Sequence, residues 1–233
     1  MPLDRTLDLS SRQLRRFPAR ASAFNELVKL YLSDNHLSNL PSELRNLQKL
    51  QLLALDFNRF EELPLVVCSL VQLNILYLGN NRLYGLPKEL RQLTELKTFP
   101  RVICQLPNIK TLHLGYNQLR SLPSELGRLE ELRSIWLAGN VLNDFPPVLL
   151  KMHYLEVIDV DRNRIQHFPS LAYLRGLKLV IYDHNPCVNA PVVAEGVRRV
   201  GRWADSSDGE EDEGDGNVVQ ASVKVQGSLE DTE

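Results

Sequence analysis

Seven of this chain's asparagines recur in one register, Asn35, Asn58, Asn81, Asn117, Asn140, Asn163 and Asn185. A row of carboxamides, each offering donors and an acceptor, is chemistry a binding site can use. It also suits a plainer task. An inward Asn at a sharp turn satisfies the backbone N–H and C=O groups of adjacent segments, which cost roughly 1–3 kcal/mol each when buried unpaired. The structural reading outweighs the binding one. Tyr31, Tyr77, His113 and Trp136 recur at another fixed place in the pattern. Large aromatic side chains anchor protein interfaces, although on a sheet they also stabilise by cross-strand pairing. Asp159, Asp161 and Asp183 gather carboxylates toward the C-terminal repeats. Three outward carboxylates on an open surface lack the enclosing carbonyls that calcium takes, so no metal is expected. No glycine-rich phosphate loop or Cys/His ligand spacing is present, and His113 and His184 stand far apart in the pattern. Neither catalysis nor a cofactor is therefore expected.

These residues are positioned by a repeat. The steps between the asparagines are 23, 23, 36, 23, 23 and 22 residues, each inside the frame L-x-x-L-x-L-x-x-N-x-L or a close variant. One copy reads Leu27, Leu30, Leu32, Asn35, Leu37, Leu40, Pro41, and another Leu73, Leu76, Leu78, Asn81, Leu83, Leu86, Pro87. That period and frame predict an α/β leucine-rich-repeat solenoid, a horseshoe with a parallel concave sheet and convex 3₁₀ or helical segments. The L-x-L stretch reads as a strand with its two leucines inward and the alternate residues outward. The Leu-Pro-Ser-Glu-Leu stretches, such as Pro41 to Leu44, suit the first turn of a helix or 3₁₀ segment with Pro at its first position. Outward positions then align in columns. One reads Asp8, Tyr31, Ala54, Tyr77, His113, Trp136, Asp159, Ile181, and the next Ser10, Ser33, Asp56, Gly79, Gly115, Ala138, Asp161, Asp183. A partner with an apolar ridge and a basic end would fit them.

The step of 36 is ten short of two periods. What is missing near residue 98 is one strand, its Asn and the following leucine. The strands at Leu76 and Leu112 should then be direct neighbours, with residues 88–108 as an oversized convex connection. The first repeat begins close to Met1, which leaves Leu7 and Leu9 with no covering layer and suggests a shortened N-terminus. At the other end Val193, Val197 and Val200 share a helical face, so a capping helix is expected at about 191–203.

Charge divides the chain. Residues 204–233 carry a net charge of −9 and residues 1–203 a net charge of +7. The first stretch reads as a disordered acidic tail, because DSSDGEEDEGDG has no large apolar residue to offset chain entropy. The second reads as one solenoid domain. Its basic residues are scattered among acidic ones, which argues against nucleic acid. No apolar run approaches the roughly 18 residues of a membrane span. Cys68 and Cys104 share a convex register and read as core fillers, and with no apolar leader the expected setting is a reducing one. In the tail, Ser207 with Glu210 reads either as an acidophilic-kinase target or as an unmodified solvated serine.

The stretches YDHNPC and GVRRVGRW, outside the repeat consensus, together with ELVKLYLSDNHLSNLPSEL and LNILYLGNN, resemble the small leucine-rich-repeat proteins of vertebrate heart muscle. The resemblance spans most of residues 2–204. It implies a non-enzymatic, monomeric adaptor of striated muscle, associated with actin and alpha-actinin near the sarcomere Z-disc in the cytoplasm, and sometimes with the nucleus. The alternative is an intracellular signalling scaffold or phosphatase-regulatory subunit.

Overall fold

A computed structural model describes residues 5–84 and 106–204. Among the described residues nine strands follow one another: β1 (Thr6–Asp8), β2 (Lys29–Tyr31), β3 (Leu52–Ala54), β4 (Ile75–Tyr77), β5 (Thr111–His113), β6 (Ser134–Trp136), β7 (Val157–Asp159), β8 (Leu179–Ile181) and β9 (Arg198–Val200). They pair in parallel, and their order in the sheet is their order in the chain. This is the open solenoid that the period predicts. The middle residue of each strand from β1 to β8 points into the core, where Leu30, Leu53, Leu76, Ile135, Ile158 and Val180 are wholly buried. Leu32, Leu55, Leu78, Leu114, Leu137 and Val160, two residues further along, are buried beside them. A single repeat cannot bury these side chains, so stability comes from stacking neighbours.

The convex side carries five 3₁₀ segments among the described residues: Ala19–Ala23, Ser42–Asn46, Leu65–Ser69, Ser124–Arg128 and Pro147–Lys151. The proline of each Leu-Pro or Phe-Pro pair sits one residue earlier than expected. Pro18, Pro41, Pro64, Pro123 and Pro146 occupy the cap position with extended backbone rather than the first turn. Their carbonyls then accept from Ala21, Leu44, Val67, Leu126 and Leu149, which closes each turn.

Between strand and convex segment the chain turns sharply through a left-handed residue: Asp34, Phe57, Asn80, Tyr116, Arg162 and His184 all have φ between 49° and 55°. Such backbone costs a non-glycine residue on the order of 1–2 kcal/mol, and the asparagine that follows provides the compensation. Asn58 Oδ1 accepts from the Leu37 N–H at 3.0 Å, while its Nδ2 donates to the Leu32 carbonyl at 2.9 Å and the Leu55 carbonyl at 3.1 Å. The pattern repeats at Asn35, Asn81, Asn117, Asn140, Asn163 and Asn185.

The short step is absorbed without a break. β4 pairs with β5 in register, Leu76 opposite Leu112, and Asn117 reaches across the junction to the Leu83 N–H and the Leu78 carbonyl, each at 3.0 Å. Most of the convex connection expected at 88–108 lies outside the described residues, as do residues 1–4, Cys104 and the acidic tail.

Two expectations are corrected. The C-terminal cap is a strand, not a helix at 191–203: β9 pairs with β8, and the Tyr182 N–H donates to the Val200 carbonyl at 2.9 Å. The valine spacing fits a helical face, but Gly196 and Gly201 take φ of 81° and 151° and interrupt helical backbone. The edge of β8 offers instead a backbone ladder, which Arg198, Arg199 and Val200 join. Val193 and Val197 still pack against the core. Cys68 is held in a disulfide rather than serving only as core filling, and Cys187 is free and buried.

Candidate protein-docking surface

The last residue of each strand faces the concave side. Register pairing sets Tyr31, Ala54, Tyr77, His113, Trp136, Asp159 and Ile181 side by side on successive strands. Tyr77, His113, Trp136 and Asp159 are therefore immediate neighbours, whereas Tyr31 is set apart by the small Ala54. The Tyr77 and His113 ring centroids are 5.9 Å apart and tilted by 45°, and those of His113 and Trp136 are 5.8 Å apart and nearly parallel at 19°. A continuous aromatic row thus spans β4 to β6.

Glycines make room for it. A Cβ on Gly79 would lie 3.1 Å from His113 Nδ1, and one on Gly115 would lie 3.6 Å from its Cε1. The imidazole rests with that edge against the sheet floor. Its Nδ1 is buried without a hydrogen-bond partner among the described residues, and burial pulls its pKa below the ordinary value.

Carboxylates stand at both ends of the row. Asp56 Oδ1 accepts from the Gly79 N–H at 2.7 Å and lies 3.0 Å from where a Gly79 Cβ would stand. Burial pushes its pKa up to about 6, against the opposing pull of that N–H. Asp159, next to Trp136 in register, accepts from the Asp161 N–H at 2.9 Å. Its burial, 8 % exposed, likewise raises its pKa to about 6, with the Asp161 charge adding to the effect. The Tyr77 phenol is raised too, first by burial and then by the Asp56 charge.

Asp161 and Asp183 lie in the next column and are engaged elsewhere. Asp161 contacts His184 Nδ1 at 3.0 Å and Arg162 Nε at 3.4 Å, and Asp183 lies 3.6 Å from His184. No group of three or more His, Cys, Asp or Glu side chains that could hold a metal ion occurs among the described residues. The Asn column is committed to hydrogen bonds between repeats and presents no free carboxamide row: six of the seven are buried, and Asn185 is half-buried. Ser207 lies outside the described residues. An open groove lined by Asp183, His184, Asn185, Cys187, Gly201 and Arg202 sits beyond β8, two strands from Trp136.

Three residues of this surface escaped the sequence reading as site residues. Asp56 stood in the second column, but its burial follows from the curvature of the sheet and from Gly79 beside it, which spacing alone does not reveal. Phe57 and Tyr116, at the left-handed turn, are 58 % and 51 % exposed and add an aromatic rim. Their signal was large apolar residues where other repeats have Asp34 or Asn80.

Comparison with known proteins agrees with this architecture. The family described as Leucine Rich Repeat matches residues 26–47 and 108–129. The chain is 63 % identical over 217 residues to human leucine-rich repeat-containing protein 10, covering 89 % of this chain and 78 % of that protein. It is 64 % identical to the same protein of Bos taurus over the same shares. Among solved structures, a leucine-rich-repeat protein of Leptospira interrogans matches with a TM-score of 0.59 and 33 % identity, over 78 % of this chain and 49 % of that chain. Internalin C2 of Listeria monocytogenes matches with a TM-score of 0.65 over 84 % of this chain and 79 % of that one; at 21 % identity it speaks for the fold alone.

Proposed function

This chain belongs to the leucine-rich repeat-containing protein 10 family, and from that premise we propose that it is a non-enzymatic adaptor which holds a protein partner on its concave face. The observation that carries this reading is the aromatic row Tyr77–His113–Trp136, a preformed apolar platform left open on a sheet whose other face is fully packed. Aromatic side chains held rigid by their neighbours bind at low entropic cost and dominate interface energetics. An open sheet also lacks the enclosed, water-excluding cavity that small-molecule chemistry uses.

The partners we propose are actin and alpha-actinin, in the cytoplasm near the Z-disc of heart muscle, with some of the protein in the nucleus. The resemblance to heart-muscle leucine-rich-repeat proteins supports this. The test is co-sedimentation or pull-down of the purified full chain with each protein, beside Trp136→Ala. Binding that falls at least tenfold in the variant supports the proposal. The absence of binding to either protein removes the cytoskeletal assignment, and equal binding by the variant removes the concave face.

A further inference from the structure

Between β3 and β8 the concave columns contain no Lys or Arg; of their carboxylates, Asp161 and Asp183 face Arg162 and His184, while Asp56 and Asp159 meet no cationic side chain among the described residues. The positions before each strand centre there are Leu52, Ile75, Thr111, Ser134, Val157 and Leu179, all uncharged. Such a face repels the acidic tail of this same chain, whose residues 204–233 carry a net charge of −9, and it repels nucleic-acid phosphates. It attracts cations. Elsewhere the protein seats its own arginines on aromatic rings: Arg133 lies 5.2 Å from the Tyr154 centroid and Arg202 lies 5.0 Å from that of Trp203. Among the described residues no cation of the chain lies over Tyr77, His113 or Trp136.

The two ends of the row are alike. At one, the Tyr77 ring adjoins the strand that leads into Asp56, whose carboxylate is fixed by the Gly79 N–H. At the other, Trp136 is the register partner of Asp159, whose carboxylate is fixed by the Asp161 N–H. Each end pairs a flat π-face with a carboxylate already held in place. That suits a guanidinium, which stacks on rings while donating in its own plane, better than an ammonium. A guanidinium seated between β3 and β4 and another between β6 and β7 are three strand spacings apart, roughly 14 Å at about 4.8 Å each. An extended peptide covers that distance in about four residues at roughly 3.3 Å each.

We propose that the concave face takes an extended basic segment of the partner protein, crossing the strands with two arginines about four residues apart, one stacked on Tyr77 beside Asp56 and the other on Trp136 beside Asp159. The apolar residues between them cover His113, which Gly79 and Gly115 hold low against the sheet. The missing rung makes this site. With β5 directly beside β4, His113 bridges two rings that a regular repeat would set one strand further apart.

This inference rests on the concave-docking reading, and the experiment separates the two. Fluorescent twelve-residue peptides in a Gly/Ser/Ala background are titrated against the full chain, with two arginines placed about two, four or eight residues apart and a matched peptide carrying citrulline in place of both. The four-residue spacing should bind best, by about fivefold or more over the citrulline peptide, the factor that two modest cation–π contacts supply. Asp56→Asn and Asp159→Asn should each remove most of that preference, with unfolding midpoints showing that both variants remain folded. Equal binding of citrulline and arginine, or indifference to spacing, overturns the proposal. In parallel, a photocrosslinker at Tyr77 is used with muscle extract and the crosslinked partner peptide is sequenced. A segment without basic residues refutes the arginine pair and leaves concave docking intact, as does a crosslink to a second copy of this chain. No crosslink from Tyr77, with strong crosslinks from the convex side, refutes both.

Discussion

Tyr77 and His113 are register partners on adjacent parallel strands, their ring centroids 5.9 Å apart, although a step of 36 residues separates them in the chain. The two flanking layers close over the gap because Leu76 and Leu112 meet in the core as any consecutive pair of repeats does. Asn117 also finds at Leu83 and Leu78 the backbone groups it would find in a full-length neighbour. A solenoid is a sum of nearest-neighbour interfaces, so losing a whole strand costs one interface and preserves the rest. The consequence lies at the surface, where rings on the two sides of the short step form one row.

Gly79→Ala tests the floor of that row. Its Cβ would stand 3.0 Å from Asp56 Oδ1 and 3.1 Å from His113 Nδ1, so one side chain must move. A stability loss of about 1 kcal/mol is expected, at the low end of overpacking costs because both neighbours can swing outward. The displaced imidazole should register as a changed His113 Cε1–H chemical shift in NMR. An unchanged shift with unchanged stability would show that the imidazole does not rest on Gly79.

Asn117→Ala removes a carboxamide that satisfies the Leu83 N–H and donates to the Leu78 and Leu114 carbonyls. Each group left buried and unpaired costs roughly 1–3 kcal/mol, so urea denaturation should show a loss of several kcal/mol. The same substitution at half-buried Asn185, where water can replace the lost partners, should cost less than half as much. Equal losses at the two sites would mean that the ladder acts through turn geometry and not through burial.

Tyr182→Phe tests the strand cap. Tyr182 is fully buried, and its hydroxyl donates to the Arg202 carbonyl at 2.6 Å, fastening the chain just beyond β9. Losing this bond should cost about 0.5–1.5 kcal/mol. Amide hydrogen exchange should accelerate at Arg198 and Val200 while β4 to β6 remain protected. Uniform acceleration along the sheet would contradict a local fastening role.

The strands were legible because each L-x-L triplet carries its own period and its own Asn, and the direct pairing of Leu76 with Leu112 followed from counting residues. The columns were legible for the same reason, since alternation along a strand decides which face a residue takes. The C-terminal strand was not. Val193, Val197 and Val200 satisfy a helical spacing and not the alternation of a strand, and what overrides that spacing is the open edge of β8, a partner distant in sequence. The energetics of Asp56 and Asp159 were equally hidden, because the burial of a carboxylate on a concave face is set by neighbours such as Gly79 and Trp136 on adjoining strands.

Asp159→Asn should stabilise the protein at neutral pH and not in acid. The carboxyl has its pKa raised to about 6 by burial, with the Asp161 charge adding to it, whereas an unfolded Asp titrates near 3.9. The folded chain therefore holds the proton more tightly than the unfolded one. Below about pH 4 both states are protonated and the group imposes no penalty; stability falls as pH rises through the window from about 4 to 6, and above it the full cost of a buried charge is present. Asparagine keeps an oxygen to accept from the Asp161 N–H and carries no charge. The variant should thus exceed the parent by about 1–3 kcal/mol at pH 7.5, with the difference vanishing toward pH 4, as read from urea unfolding at both values. A variant less stable than the parent at pH 7.5, or an advantage independent of pH, would show that the Asp159 carboxylate is compensated in the fold by a partner that outweighs its desolvation.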